Sequence, residues 1–125
     1  GVHVGQNDLQ PLPIREKYGD KLNIGWSIED MQQLESPQMY AVDHLGVSPI
    51  FSTRTKMDTI TEWGIAGLKQ LRSRTEKPLI AIGRMNLQTA EETWNAGADS
   101  IAVVSAICQS QDPRAASAQL KELLK

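Results

Sequence analysis

Short apolar runs that alternate with helix-forming segments limit the fold of this chain more than any other feature. Two of the runs, residues 78–83 and 100–105, are almost entirely apolar and small, with no alternation of apolar and polar residues. Strands of this kind are buried on both faces, as in parallel sheets covered by helices. The sequence therefore predicts an α/β fold, either an open doubly wound sheet or part of an eight-stranded (β/α)8 (TIM) barrel.

The other elements continue the alternation of strand and helix. Three earlier strands are predicted, and apolar residues at helical spacing predict the helices between them. These strands cover residues 2–5, 22–26 and a run from 44 that ends near Pro49, and the helices cover 11–18, 28–41, 62–74, 86–97 and 112–124. About five βα units result, whereas a full barrel takes about 250 residues. We therefore expect residues 1–125 to be the C-terminal part of a single TIM-barrel domain whose front βα units are absent.

Four predicted helices have recognisable ends. Ser27 begins a capping-box pattern, Ser27-Ile28-Glu29-Asp30, and is expected to cap a helix that breaks at Pro37. Asn86 and the pair Asp112-Pro113 are expected to start the last two long helices. Gly19 and Gly97 are expected to end the helices that precede them.

The amino-acid composition limits the expected binding partners and the expected cellular compartment of the chain. The chain has 125 residues, of which 40% are hydrophobic and 22% charged, with a formal net charge of −2. No basic block is present, so nucleic acid is not an expected partner. No apolar run approaches the roughly 20 residues of a membrane span. Cys108 is the single cysteine, which excludes an intramolecular disulfide and favours a reducing cytoplasm.

Polar and small residues follow every predicted strand. Ligands of parallel α/β proteins bind at the carboxyl ends of the strands, because the following loops converge there. The third strand leads into hydroxyl groups, an arginine and a lysine within residues 52–56, a combination that suits phosphate oxygens. Gly83 and Val104-Ser105 follow the last two strands, where barrels often bind phosphate. Asp8 is the only carboxylate at this rim, and the set suits a phosphorylated substrate with a divalent metal.

Each of these residues also has a purely structural explanation. Ser27 could serve only as a helix cap, Asp8 only as a turn or cap residue, and Gly83 only for tight packing. His3 and His44 lie at strand positions, where packed core histidines are the more frequent case. The coincidence of many polar residues at one rim is therefore stronger support for a site than any single residue.

Five segments also match known motifs in order and in register. They are residues 1–8 (GVHVGQND), 24–27 (IGWS), 46–58 (GVSPIFSTRTKMD), 80–83 (IAIG) and 98–107 (ADSIAVVSAI), with Asp112-Pro113 opening the last helix. Together they resemble the motifs of the thiamine-phosphate synthase family, also called thiamine-phosphate pyrophosphorylase. The resemblance covers the whole chain.

The resemblance implies a transferase of thiamine biosynthesis on a (β/α)8 barrel. Such an enzyme joins hydroxymethylpyrimidine diphosphate to thiazole phosphate and releases thiamine phosphate and pyrophosphate. Charge develops on the departing pyrophosphate, where Mg²⁺ and lysine would stabilise it. By position in the motifs, the implied roles are Asp8 as a Mg²⁺ ligand, Ser27 and Lys56 as catalytic contacts to the pyrophosphate, and Thr53, Thr55, Gly83, Val104 and Ser105 as ligands of the thiazole phosphate.

Two departures from the family pattern limit what the chain does alone. Arg84 stands where the family has a second glycine, and this arginine could either pair with the phosphate or crowd it. The family's "QxRxK" strand and "ND" pair, which bind diphosphate and metal, have no counterpart here. We therefore expect little or no synthase activity from residues 1–125 alone, and exposed sheet edges. A complementing N-terminal segment or a homo-oligomer could supply the missing part.

Two other functions stay open at this point. One is an isomerase similar to thiazole tautomerase, which needs neither a metal nor a pyrophosphate site. Asp8 and Lys56 together favour the synthase, and neither His3 nor His44 is expected to be well placed as the acid/base group of an isomerase. The other is a non-catalytic phosphate-binding fragment, in which Arg84 marks an altered site.

Overall fold

A single parallel sheet organises the chain. The computed structural model describes residues 1–52 and 62–125. Its five strands lie in chain order: β1 (Val2–Val4), β2 (Ile24–Ile28), β3 (His44–Val47), β4 (Leu79–Ile82) and β5 (Ser100–Ala102). Every neighbouring pair is parallel. The predicted α/β fold with a parallel sheet is confirmed.

The two faces of the sheet differ in burial. One row of strand partners, Val4, Trp26, Leu45 and Leu79, points its side chains into the core that the helices cover. The residues between them point to the opposite side, which we call the open face. It consists of His3, Gly25, Ser27, His44, Gly46, Ile80, Ile82, Ser100 and Ala102.

The prediction that the strands are buried on both faces is wrong for the described residues. His3 and Ser100 are exposed, and Ser27, His44, Ile80, Ile82 and Ala102 are only partly buried. On the open face only the glycines are buried, because neighbouring side chains lie over them. The strands lack an alternation of apolar and polar residues because helices cover one face of the sheet and the opposite face carries mainly small and apolar residues. Only a few residues of that opposite face are polar.

The helices form largely where the sequence places them. They are α1 (Pro11–Tyr18), α2 (Gly64–Arg72), α3 (Leu87–Asn95), α4 (Ser105–Cys108) and α5 (Pro113–Leu123). Asn86 caps α3 by accepting hydrogen bonds from the amides of Gln88 (3.0 Å) and Thr89 (3.1 Å). Asp112 caps α5 by accepting from Ala115 N (2.9 Å), with Pro113 as the first helical residue. These caps confirm the prediction.

Ser27 is not a helix cap. It lies inside β2, because strand pairing continues through the partners Ser27–Gly46 and Ile28–Val47. The capping box occurs three residues later: Asp30 Oδ1 accepts from Gln33 N (3.1 Å), and Gln33 Oε1 accepts from Asp30 N (3.2 Å). The expected helix consists of two 3₁₀ helices, Met31–Glu35 and Pro37–Tyr40, which are separated at Ser36. The break at Pro37 is confirmed.

The fifth strand is shorter than predicted. It ends at Ala102, and the chain then turns into the short helix α4, which begins at Ser105. Val104 O accepts hydrogen bonds from the amides of Ile107 (3.1 Å) and Cys108 (2.8 Å), so Val104 belongs to the helix entrance. Ser105 is therefore a helix residue and not a strand end. None of the described helices is long and apolar enough to cross a membrane.

Two equivalent clasps join helices to the amino-terminal end of the sheet. Before β3, Asp43 Oδ2 accepts from Ile24 N (2.6 Å) and from the guanidinium of Arg15 on α1 (2.7 Å). Before β5, Asp99 Oδ2 accepts in the same way from Leu79 N and from Arg72 on α2, both at 2.8 Å. Each carboxylate thus satisfies the first amide of the preceding strand and an arginine of a helix. We call them the Asp43 clasp and the Asp99 clasp.

Candidate functional site

The ends of β1 and β2 bring polar groups together at the carboxyl-terminal edge of the sheet. Gln6 Nε2 donates to Ser27 O (2.6 Å), so the loop after β1 is tied to β2. Gln33 Nε2 donates to Gln6 Oε1 (3.2 Å), while Gln33 Oε1 accepts from Glu29 N (2.6 Å). These amide side chains build a network in which the ends of two strands and the following 3₁₀ helix are held in fixed relative positions.

Asp8 closes the turn that follows β1. Its Oδ2 atom accepts a hydrogen bond from Gly5 N at 2.7 Å, and the residue is exposed. The structural explanation for Asp8 is therefore supported, and a carboxylate has the capacity to accept further hydrogen bonds. Among residues 1–52 and 62–125, no group of three or more histidine, cysteine, aspartate or glutamate side chains could hold a metal ion.

The expectation that His3 is a packed core residue is wrong. His3 is exposed on the open face, and its Nε2 atom lies 2.8 Å from Ser27 Oγ, at hydrogen-bond distance. The His3 ring stacks on the ring of His44, with centroids 5.7 Å apart and an angle of 30° between the planes. The same packing judgement for His44 fails, because this partly buried side chain contacts His3 on the open face. Ser27, His3 and His44 thus form one group on the open face.

Glycines under these side chains make the arrangement sterically possible. A Cβ atom at Gly25 would lie 2.2 Å from His44 Nε2 and 2.3 Å from His3 Nδ1. A Cβ atom at Gly46 would lie 2.9 Å from His3 Cε1 and 3.5 Å from Ser27 Oγ. Both rings therefore rest directly on the backbone of the sheet, and the positions opposite them in the register must be glycine.

Electrostatics favour the neutral form of His3. Partial burial and the neighbouring His44 lower the pKa of His3, since both disfavour a charged imidazolium, while the carboxylate of Asp8 acts in the opposite direction. A neutral imidazole has one N–H donor and one acceptor nitrogen. The His3–Ser27 hydrogen bond can then run in either direction, depending on which nitrogen carries the hydrogen.

We predict that Gly25→Ala destroys this arrangement while leaving the sheet paired. The added methyl group would displace both imidazole rings and break the His3–Ser27 hydrogen bond, with a loss of about 1–3 kcal/mol of folding stability. Urea unfolding measures the loss, and the histidine NMR signals report the ring displacement. Gly67→Ala is the matched control, because its Cβ atom would meet only Trp63 at an ordinary 3.5 Å. Unchanged histidine signals in Gly25→Ala would contradict the described geometry.

A second group of residues lies at the carboxyl ends of β3, β4 and β5. Gly83 packs against the segment after β3: a Cβ atom there would lie 3.1 Å from Ile50 N, Phe51 O and Pro49 Cα. Arg84 and Ser105 line a depression of about 240 Å³, together with Met85, Asn86, Ala106 and Gln109. The depression is thus built from the loop after β4 and the entrance of α4. The adjacent Val104 is 75% exposed.

Arg84 has a backbone conformation that favours glycine. Its φ angle is 51°, and that of Gly83 is 116°. The left-handed region accommodates glycine without a Cβ penalty, which explains physically why a second glycine suits this turn. Arg84 is exposed, and its carbonyl accepts a hydrogen bond from Thr89 Oγ1 (2.8 Å), which joins the turn to α3.

Glu62 adds a carboxylate whose charge interacts with that of Arg84, one of the residues that line this depression. It accepts a hydrogen bond from Ser52 N (2.6 Å), which connects the two ends of the chain flanking residues 53–61. Hydrogen bonds from Ser52 hold the pKa of Glu62 below its ordinary value, and the positive charge of Arg84 contributes in the same direction. Glu62 was not predicted as a site residue, because it was expected to begin the helix over residues 62–74 and not to follow a strand directly.

The structure brings together part of the predicted site. Asp8 lies in the loop after β1, and Gln6 of this loop donates a hydrogen bond to Ser27 O near the end of β2. Arg84 and Ser105 line one depression, and Gly83 immediately precedes Arg84. The predicted residues Thr53, Thr55 and Lys56 lie outside the described residues. A larger cavity of about 540 Å³ is lined by Asn86, Leu87, Gln88, Ala106, Ser110, Ala116, Gln119 and Leu120, and it contains none of the predicted site residues.

His3, His44 and Gln33 were not expected to contact the site, whereas Gln6 was expected at the rim after β1. The pairing of His3 and His44 with Gly25 in neighbouring strands is the signal that could have identified the histidines, because a glycine between two bulky partners leaves room for both rings. The role of Gln33 depends on the turn after β2, which the misplaced cap at Ser27 obscured.

Comparisons with known proteins agree on one family. The sequence model described as "Thiamine monophosphate synthase" matches residues 1–107. Curated relatives named thiamine-phosphate synthase include one from Albidiferax ferrireducens, 45% identical over 124 residues (99% of this chain, 57% of the relative). Another from Vibrio campbellii is 40% identical over 125 residues (100% of this chain, 61% of the relative).

A solved structure extends the likeness to three dimensions. Thiamine phosphate pyrophosphorylase from Pyrococcus furiosus superimposes with a TM-score of 0.85 at 28% sequence identity, covering 99% of this chain and 58% of that one. The chain thus spans about three fifths of the length of the relatives it matches.

Proposed function

We propose that this chain, which belongs to the thiamine monophosphate synthase family, is the C-terminal part of a transferase of thiamine biosynthesis. The reaction would join hydroxymethylpyrimidine diphosphate to thiazole phosphate and release thiamine phosphate and pyrophosphate. The observation that carries the proposal is the gathering of the family's motif segments at one edge of a parallel sheet. Gln6 ties the loop that contains Asp8 to Ser27, and Arg84 and Ser105 share a depression.

In this proposal residues 1–125 supply about the last five βα units of a single (β/α)8 barrel. The open face would become the inner wall of the barrel. Its partly exposed Ile80 and Ile82 and its polar His3 and Ser27 fit that role, since barrel interiors combine packed apolar layers with a polar mouth. The first strand β1 and the last strand β5 have free edges within the described residues. A preceding segment of the same protein, or a second chain, would pair with them.

In the proposed reaction, one group of residues contacts the diphosphate and a second group binds the thiazole phosphate. Ser27 and Lys56 would contact the diphosphate, where a hydroxyl and an ammonium group stabilise the negative charge that develops on the leaving group. Thr53, Thr55, Gly83, Arg84, Val104 and Ser105 would bind the thiazole phosphate. Arg84 would pair with this phosphate through its guanidinium group, in place of close backbone approach at a second glycine. The single cysteine, Cys108, is consistent with a proposed cytoplasmic location.

Mg²⁺ is the proposed cofactor, with Asp8 as one ligand. Mg²⁺ is often held by one or two carboxylates together with substrate phosphates and water, so a single carboxylate is compatible with it. The described residues offer no complete site for the ion. The substrate diphosphate and the preceding part of the protein would have to supply the other ligands. When bound, the ion would neutralise charge on the diphosphate.

Release of pyrophosphate by the longer protein tests the proposal. With both substrates and Mg²⁺ present, we expect Lys56→Ala and Asp8→Ala each to lower turnover by about 100-fold, the effect of removing one electrostatic contact to a transition state. Lys121→Ala and Asp20→Ala are matched controls on exposed positions and should keep full activity. Undiminished turnover in both Lys56→Ala and Asp8→Ala would contradict the assignment. Residues 1–125 alone should show little or no turnover.

An isomerase is the second candidate function, and one observation favours it. His3 lies on the open face at hydrogen-bond distance from Ser27, so an acid/base group is present where the sequence did not predict one. Conversion between tautomers of thiazole phosphate, measured without the pyrimidine diphosphate and without metal, separates the two functions. Such conversion, lost in His3→Gln, would support the isomerase, whereas pyrophosphate release would support the synthase.

A further inference from the structure

The turn after β4 has a conformational cost that a glycine in the same place would avoid. Arg84 has a φ angle of 51°, in the left-handed region, where the Cβ atom of any residue other than glycine is crowded by the backbone. The two neighbours of Arg84 are held in place: Gly83 packs against the segment after β3, and Met85 is buried in the core. The conformation of Arg84 therefore needs support from another contact in the turn.

Thr89 provides this support with a hydroxyl group that makes two hydrogen bonds. Thr89 is the third residue of α3, and its Oγ1 atom accepts from the amide of the helix cap Asn86 (2.9 Å), as in other capping boxes. The same hydroxyl donates to Arg84 O at 2.8 Å, a bond that lies outside the capping box, whereas Asn86 O is farther away at 3.4 Å. Both directions are fixed, because an amide N–H only donates and a carbonyl oxygen only accepts.

The bond from Thr89 opposes the relaxation of Arg84. To leave the left-handed region for the ordinary helical or extended regions, a residue has to change both φ and ψ. Rotation about ψ turns the carbonyl of Arg84 away from Thr89 Oγ1 and breaks the bond. Thr89 is itself held in place, because it is partly buried and its carbonyl accepts a hydrogen bond from the hydroxyl of the buried Thr93 (2.7 Å).

We propose that Thr89 is a positioning residue that keeps Arg84 in its left-handed conformation, so that the arginine side chain is directed at a phosphate monoester in the depression. Arg84 and Ser105 line this depression together. The backbone angles of Arg84 set the direction in which its Cβ atom, and with it the guanidinium group, leaves the chain. The inference rests on the proposed function for the identity of the ligand, whereas the conformation of Arg84 can be measured without any substrate.

NMR measures the conformation of Arg84 directly. A residue with a positive φ angle has its amide and α hydrogens close together, which gives a strong nuclear Overhauser effect (NOE) between them. In the protein labelled with ¹⁵N-arginine, the signal that is missing from Arg84→Gly belongs to Arg84. We expect its NOE to be strong in the unsubstituted protein and in Thr89→Ser, which keeps the hydroxyl. It should fall at least twofold in Thr89→Val, which keeps the shape of the side chain but not the hydroxyl.

Two further variants separate this role from general effects on α3. Thr89→Glu can still accept from Asn86 N, as glutamates at this helix position do, but it has no hydrogen to donate to Arg84 O, so the NOE should fall here as well. Thr93→Val is the matched control, because it removes another hydroxyl of the same helix and should leave the NOE unchanged. An unchanged NOE in Thr89→Val and Thr89→Glu, or an equal loss in Thr93→Val, would overturn the proposal.

Kinetics of the longer protein provide the second measurement. Thr89→Val should raise KM for thiazole phosphate about fivefold, the effect of one hydrogen bond, and leave kcat nearly unchanged, because Arg84 is not assigned to the departing diphosphate. In Arg84→Gly the same substitution should have no further effect, since glycine adopts a positive φ angle freely and has no guanidinium to direct. Losses that add in the double variant would overturn the proposal. If the unsubstituted protein releases no pyrophosphate, the proposed function fails, and the NOE of Arg84 still decides the role of Thr89.

Discussion

Gly83→Ala is expected to destabilise the protein by about 3 kcal/mol. Two effects combine at this position. The φ angle of 116° is strained for any residue with a Cβ atom, and that atom would lie 3.1 Å from three backbone atoms of residues 49–51. Because backbone atoms cannot move aside as side chains do, the segment after β3 must shift away from β4. Urea unfolding of the substituted protein measures the loss.

Gly19→Ala separates the two effects. Gly19 also has a positive φ angle, 58°, but no atom lies within 4 Å of the position of its Cβ. This control should lose only the conformational part, about 1 kcal/mol. Equal losses in Gly83→Ala and Gly19→Ala would show that the contact between Gly83 and residues 49–51 does not contribute.

Asp43→Ala is expected to destabilise the protein by about 2 kcal/mol. The substitution removes the acceptor of two hydrogen bonds in the Asp43 clasp, and it leaves the amide of buried Ile24 and the guanidinium of Arg15 without this partner. Asp20→Ala is the matched control: Asp20 lies 3.7 Å from Arg15 but is fully exposed, so its loss should be hardly measurable. Urea unfolding at neutral pH compares the two.

The contribution of Asp43 should also depend on pH. Burial acts to raise its pKa, but hydrogen bonds from Ile24 N and Arg15 outweigh this, and the net effect lowers the pKa below its ordinary value of 3.8. A carboxylate with a lowered folded-state pKa contributes its full stability above the ordinary value and loses it as the pH falls through the folded-state pKa. The stability difference between the unsubstituted protein and Asp43→Ala should therefore shrink below about pH 4. A difference that stays constant into strong acid would contradict this explanation.

The order of elements could be predicted from the sequence because each signal was local. Asn86 and Asp112 are caps whose partners lie two or three residues away. The apolar run at residues 79–82 is typical of a strand in a parallel sheet, and it forms β4. The misplaced cap at Ser27 had a different cause. Ser27 matches the local capping pattern, but pairing with Gly46 on the neighbouring strand extends β2 beyond it. Tertiary pairing overrode local propensity at this position.

The motifs predicted which residues lie at the rim of the sheet, but they did not predict most of the contacts between side chains there. Motif position placed Asp8 and Ser27 at the same rim, and Arg84 with Ser105. The structure places Arg84 and Ser105 around one depression and ties the loop of Asp8 to Ser27 through Gln6. The sequence could not show that His3 and His44 share one side of the sheet, since this depends on the register of β1, β2 and β3. Lys56, Thr53 and Thr55 lie outside the described residues, and their roles remain predictions.

The clasps lie at the opposite end of the strands from every residue that we assign to ligands. Asp43 and Asp99 precede their strands, whereas Ser27, Gly83 and Ser105 come near or after the ends of theirs. Substitutions that reinforce or loosen the amino-terminal end of the sheet should therefore change melting temperature with little change in catalytic constants. For protein engineers, the amino-terminal end of the sheet offers positions at which thermal stability can be raised without changing the residues assigned to ligands.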